Sequence, residues 1–180
     1  MPEPAASCGP SHIEVVVSVA AAPWADHAEG PEVLVERAVR ATVAATAEPG
    51  EADIEVSVLL TDDAQVQTLN AHYRGRDRTT NVLAFPGDED AAEAATGLPG
   101  LLGDVVLAYE TVAGEARDQG KTLADHTAHL VVHGVLHLRG FDHGDAAEAA
   151  AMEDLERRLL AALGVGDPYA TPDGPKDRGD

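Results

Sequence analysis

The segment His133-Gly-Val-Leu-His137-Leu-Arg-Gly140-Phe-Asp-His143 decides how the rest of the chain is read. His133 and His137 stand one helical turn apart, so on a helix their imidazoles project from one face, about 6 Å from each other. Both can then reach one ion at about 2.0 to 2.1 Å. A third ligand cannot come from further up the helix, because His129 to His137 spans eight residues, about 12 Å of axial rise. The helix has to stop and turn. Gly140 supplies the stop, since glycine accepts the left-handed conformation that ends a helix, and His143 is swung back toward the ion. The spacing predicts a single metal site, ligated by His133, His137 and His143, at the end of a histidine-bearing helix. With Cys8 the only cysteine, no thiolate can close the fourth position. Asp142 or another carboxylate is the alternative, and an open, water-bearing position is the preferred reading.

The same offsets occur in the metzincin zinc peptidases. Those enzymes place a Glu after the first His as general base, where this chain has Gly134, so peptidase chemistry loses its water-activating carboxylate. His126 and His129 fall earlier on the same helical face and read as core or supporting residues, not ligands, with His129 able to hydrogen-bond near the site.

Working outward, this helix spans Thr122 to Leu138, and another from about Tyr109 to Gln119 precedes it and ends at Gly120. The last helix runs from Ala146 to Leu163, with Asp145 as cap, Glu148 three residues on, and Gly164 at its C-terminal turn. Upstream, Glu32 to Thr46 has Val33, Leu34, Ala38, Val39 and Thr42 on one stripe behind Pro31. A helix to about Tyr73 starts at a Thr61 or Asp62 cap, with Gln65 placed to reach back to Asp62. His12 to Ala20 and Asp53 to Leu60 alternate as half-buried strands, and Asn81 to Phe85 and Asp104 to Ala108 read as two more. The acidic stretch 87–103 between the last two reads as a mobile loop. The fold class expected is α+β: a mixed four-stranded sheet packed with about five helices. Residues 1–11 and 171–180 read as flexible tails around a single domain over 12–170.

Composition bounds the function. The chain has 180 residues, 32 Asp+Glu against 12 Lys+Arg, and a formal net charge of −20, with 44% hydrophobic residues, which excludes wholesale disorder. Six aromatic residues exclude a broad base-stacking platform. Ile13 to Ala22 faintly resembles a signal sequence, but Glu3 and Glu14 stand where positive charge is required, so it reads as a strand. No apolar stretch approaches the roughly 20 residues of a membrane helix. A lone cysteine excludes an internal disulfide and suits a reducing cytoplasm, with no membrane and no disulfide-linked partner. An acidic chain repels nucleic acid unless basic residues are grouped locally. Arg74, Arg76 and Arg78 are such a group, on a loop between helix and strand, and guanidinium forks suit phosphate oxygens.

HGVLHLRGFDH over 133–143, with LNAHYRGRDRTTNVLAFP (69–86), LLGDVVLA (101–108) and LGVGDPY (163–169) in the same order, resembles the YbeY family of bacterial rRNA maturation factors over roughly residues 53–169. The resemblance implies a single-strand-specific, zinc-dependent endoribonuclease with one Zn2+, acting at 16S rRNA 3′-end maturation and in ribosome quality control, with rRNA and the small ribosomal subunit as partners. It implies His133, His137 and His143 as zinc ligands and Arg74 as the functional arginine. Ala84, Phe141 and Thr79 depart from the family's usual Ser, Tyr and Pro, which bears on substrate contacts and not on the metal. Asp142, Asp104 and Glu110 are candidates for a general base, which the sequence does not assign, and attack by water or by a ribose 2′-hydroxyl stays open. Two other readings are a zinc-bearing assembly or RNA-binding factor with little catalysis, and a metallohydrolase of another substrate class.

Overall fold

Four alternating segments pair into one sheet, β1 (Ile13–Val19), β2 (Ile54–Thr61), β3 (Val82–Pro86) and β4 (Gly100–Ala108), in the spatial order β1-β2-β4-β3. The first two pairings are parallel and the β3–β4 pairing is antiparallel, which makes the mixed sheet expected. The structure, a computed structural model, describes residues 10, 12–26, 29–87 and 99–170. The expected tails, save Pro10, and residues 88–98 of the expected loop lie outside these, as does Cys8.

Five α-helices accompany the sheet: α1 (Pro31–Thr46), α2 (Asp63–Arg74), α3 (Tyr109–Asp118), α4 (Leu123–Leu138) and α5 (Ala146–Ala162). α1 and α4 cover one sheet face, burying Val35, Val39, Val131 and Val135 against Val56, Val58 and Leu107. α2 covers part of the other, where Val66 meets Leu83, Val106 and Ala108. Alternation along β4 therefore separates two environments: Val105 and Leu107 face α4, while Asp104 and Val106 face the opposite way. Burying a fully enclosed Val or Leu contributes roughly 1.5 to 3 kcal/mol, and α4, with ten buried residues, is the most enclosed helix among those described.

Local rules explain the ends. Asp62 caps α2 by accepting from Gln65 N at 2.8 Å, Thr122 caps α4 by accepting from Asp125 N at 3.0 Å, and Asp145 accepts from Ala147 N and Glu148 N at 2.8 and 2.9 Å. Three expectations need correcting. β4 starts at Gly100, not Asp104, because the ladder with β2 continues through a bulge at Glu55/Val56, which breaks the alternation that marks a strand. The Gln65 side chain accepts from the Thr61 hydroxyl and does not reach back to Asp62. A 3-10 turn over Ala22–Asp26, unforeseen because it has no periodicity, buries Trp24 completely, and its indole donates to the Thr61 carbonyl at 2.9 Å.

Candidate metal centre and its cavity

α4 reaches the sheet through Gly134, where a Cβ would stand 2.7 Å from Val105 Cγ1. The residue after the first histidine is thus pressed against β4, which gives Gly134 a packing reason as well as a chemical one. Beyond Leu138 the helix closes with Gly140 N–H on His137 O at 3.0 Å and Phe141 N–H on Leu136 O at 3.1 Å. Gly140 takes φ 83°, a left-handed value that reverses the chain. Asp142 Oδ1 accepts the backbone N–H of His143 at 2.7 Å and braces the reversal.

The turn brings the three expected residues together: ligand nitrogens of His133, His137 and His143 all lie within 4.8 Å of one another. The His133 and His137 Nε2 atoms are 3.1 Å apart, close to the roughly 3.3 Å that two nitrogens subtend about one tetrahedral zinc. Burial, then the neighbouring His133 and His143, lowers the pKa of His137, with a hydrogen bond to the Phe141 backbone opposing. Such an imidazole is ready to bind a cation without first losing a proton.

Behind the triad lies Glu156, whose side chain is 0% exposed. His133 Nδ1 donates to its Oε1 at 2.7 Å, the Tyr169 hydroxyl donates to its Oε2, and His129 Nε2 stands 3.4 Å from that same oxygen. Burial by itself would raise the Glu156 pKa, but the nearby His129 and the hydrogen bonds from His133 and Tyr169 outweigh it and hold the carboxyl well below its ordinary range. With Nδ1 committed to Glu156, the lone pair of His133 is on Nε2, facing His137. Among the described residues no Lys or Arg pairs with this buried carboxylate. A cation ligated by His133 would supply the missing positive charge, so the residues present fit a metal.

A cavity of about 570 Å3 opens onto His133 and His137 of the triad, between α4 and the outer strand β3. Arg74 lines it, with Nη2 donating to Ala84 O at 2.9 Å and the guanidinium 5.7 Å from the Phe85 ring. Asp142 is the one carboxylate in its lining. Arg76 and Arg78 do not line it: both are exposed on the loop after α2, whose backbone is tied to Asn70 at Arg76 N and Arg78 O.

One match decides the family: the family model described as Endoribonuclease YbeY covers residues 26–164. The chain belongs to the YbeY family. Curated YbeY relatives include proteins named "Endoribonuclease YbeY" from Paramagnetospirillum magneticum, 51% identical over 87% of this chain and 96% of the relative, and Rhodopseudomonas palustris, 52% identical over 83% and 88%. One from Rhodospirillum rubrum is 49% identical over 93% of this chain and 86% of the relative.

Two carboxylates considered from the sequence are elsewhere in this YbeY chain. Asp104 is on the sheet face turned away from α4, in a second groove with Leu59, Phe85 and Val106, and burial there raises its pKa. Glu110 accepts from Asp63 N at 2.9 Å and joins the first turns of α2 and α3. His129 stands beside Glu156, its Nε2 3.4 Å from Oε2. His126 is paired through Nε2 with Glu115 at 2.7 Å, and Glu115 in turn accepts from Asn81 Nδ2 at the lip of the cavity. Glu156 was missed, although its signal is in the sequence: it occupies a stripe position with Met152, Leu159 and Leu160, where a charge demands partners.

Proposed function

We propose that this chain is a single-strand-specific, zinc-dependent endoribonuclease that acts in the cytoplasm on rRNA of the small ribosomal subunit, at the 16S 3′ end and in ribosome quality control. The observation that carries this reading is the convergence of three imidazoles, two of which, His133 and His137, line one open cavity with an arginine fork. The printed names of the relatives support the reaction class. Three neutral nitrogen donors and no thiolate suit zinc with an open position, ligated by His133, His137 and His143. A bound zinc ion polarises a phosphoryl oxygen and brings the pKa of water toward about 7.

The protein's own groups do the rest. Arg74, anchored to the Ala84 carbonyl, presents its remaining donors to the non-bridging oxygens and stabilises the charge that grows there. Asp142, at the cavity wall, is placed to take a proton from the attacking oxygen, a role that Gly134 leaves vacant on the helix. Arg76 and Arg78, exposed on the loop after α2, are available to backbone phosphates outside the cavity.

The test is single-turnover cleavage of a structured RNA with single-stranded flanks, using zinc-loaded protein, chelated protein, Arg74→Ala and His137→Ala prepared identically. The zinc-loaded protein cleaves, Arg74→Ala is slower by about 10²- to 10³-fold with zinc affinity retained, and the other two are inactive. Equal cleavage by all four would trace the activity to a contaminant. Stoichiometric zinc and ribosome binding without cleavage would move the reading to an assembly factor. Product termini, ordinary or cyclic phosphate, identify the nucleophile.

A further inference from the structure

Beyond α5 the chain does not fray. Val165 N–H closes the helix on Leu160 O at 2.9 Å, and Asp167 Oδ1 accepts from Tyr169 N at 2.9 Å. Lys121 Nζ, from the start of α4, donates to Pro168 O at 2.6 Å. The Arg157 guanidinium lies 4.8 Å from the Tyr169 ring and its Nε lies 3.4 Å from Asp167 Oδ1. The His129 ring meets the Tyr169 ring in an edge arrangement, centroids 5.6 Å apart. This seven-residue turn packs Leu163 and Val165 against the core and is pinned further along by contacts from both flanking elements. What it delivers is one hydroxyl, to Glu156 Oε2.

Glu156 has two oxygens and two duties. Oε1 takes the Nδ1 proton of His133, and Oε2 is held by Tyr169 with His129 alongside. Were Oε2 unheld, the carboxylate could rotate about its last torsion, which is broad for Glu, and His133 Nδ1–H would lose its fixed acceptor. A neutral imidazole then shares its proton between Nδ1 and Nε2, and each molecule with the proton on Nε2 has no lone pair to offer the metal.

We propose, on the reading of the triad as a zinc site, that Glu156 and Tyr169 are positioning residues: they hold His133 as the Nδ1–H tautomer with Nε2 aimed at the ion, so the C-terminal turn is part of the metal centre. Neither residue touches the ion or the substrate. Their removal changes how strongly metal is held before it changes anything about RNA.

Two measurements on the full chain test this. The first is the pattern of His133 ring nitrogens in long-range 1H–15N spectra of metal-free protein, which needs no metal and no activity. The unaltered chain shows the Nδ1–H form, and both Glu156→Gln and Tyr169→Phe show a mixture or the reverse. The second is zinc affinity by competition with a chelating indicator. Glu156→Gln weakens it by about 10- to 100-fold, as loss of a partner behind a ligand does, and Tyr169→Phe weakens it by a few-fold. Tyr169→Phe removes one hydroxyl from a ring 39% exposed, and metal-free melting curves of both variants, recorded beside the spectra, fix a temperature at which each is folded, so folding does not confound the result. Unchanged tautomer and zinc affinity in both variants would overturn the proposal while leaving the zinc site standing. No zinc binding by the unaltered chain would overturn the zinc reading itself, and the inference with it.

Discussion

Gly134 is the residue at which packing and chemistry coincide. An added Cβ would meet Val105 Cγ1 at 2.7 Å, Val105 Cγ2 at 3.2 Å and Val82 Cγ2 at 3.5 Å, all from strands behind the cavity. Val105 is fully buried, so it has nowhere to retreat. Gly134→Ala should therefore cost about 1 to 3 kcal/mol through overpacking, read as a lower urea midpoint with an unchanged slope. A midpoint equal to the unaltered chain's would mean that α4 shifts freely over the sheet. Restoring a peptidase-like carboxylate here would fail for the same reason, since the side chain would be driven at β4.

At the scale of elements, the site depends on how α4 ends. Gly140 and Gly120 both have left-handed φ, 83° and 65°, and a Cβ at either would meet nothing within 4 Å. Alanine at each position should thus carry a similar backbone strain, about 1 to 2 kcal/mol. The outcomes for metal should differ. Gly140→Ala distorts the reversal that returns His143, so zinc affinity falls as well as stability; Gly120→Ala, in the α3–α4 turn, lowers stability alone. Thermal melts beside zinc titrations separate the two, and equal zinc affinity in both variants would show that His143 finds the ion however the helix ends. The caps at Asp62, Thr122 and Asp145 were legible because capping is local chemistry, settled within three residues. The extra residues of β4 were not, because a bulge and a partner strand define them.

For the molecule as a whole, stability is tied to the protonation of the histidine layer. Burial lowers the pKa of His126, against the pull of Glu115, and burial with the neighbouring imidazoles lowers that of His137. Both sit below the ordinary 6.5, so in that range the unfolded chain binds more protons than the folded one. The metal-free protein should be fully stable above pH 6.5 and lose stability as pH falls through 6.5 toward the folded values. Glu156, also depressed, adds a further loss below its ordinary 4.5. Urea midpoints on chelated protein at pH 8, 6 and 5 measure this, and a flat profile would contradict it. Zinc bound at the triad would act in the same direction by binding the folded state. At a hundredfold over its dissociation constant it should add about 2.7 kcal/mol, so chelation should lower the melting temperature by about 5 to 10 °C for a chain of this length. No shift on chelation would mean that the triad holds no zinc. The net charge of −20 is compatible with an RNA substrate because the cavity lining pairs Arg74 with a single carboxylate, Asp142.

By itself the sequence determined the grouping of the three histidines, the stop at Gly140 and the helices and strands as elements, since each follows from periods and offsets within one element or one turn. His133, His137 and His143 could be read together because eleven consecutive residues carry all three. Only the tertiary structure decided which other side chains meet them. Glu156 reaches His133, and Tyr169 reaches Glu156, because α5 packs on α4 and the chain then turns back. Asp104 is excluded because strand alternation turns it to the other face. Through-space neighbours at separations of 23 residues or more, such as His133 and Glu156, are set by packing of whole elements, and no local period encodes that.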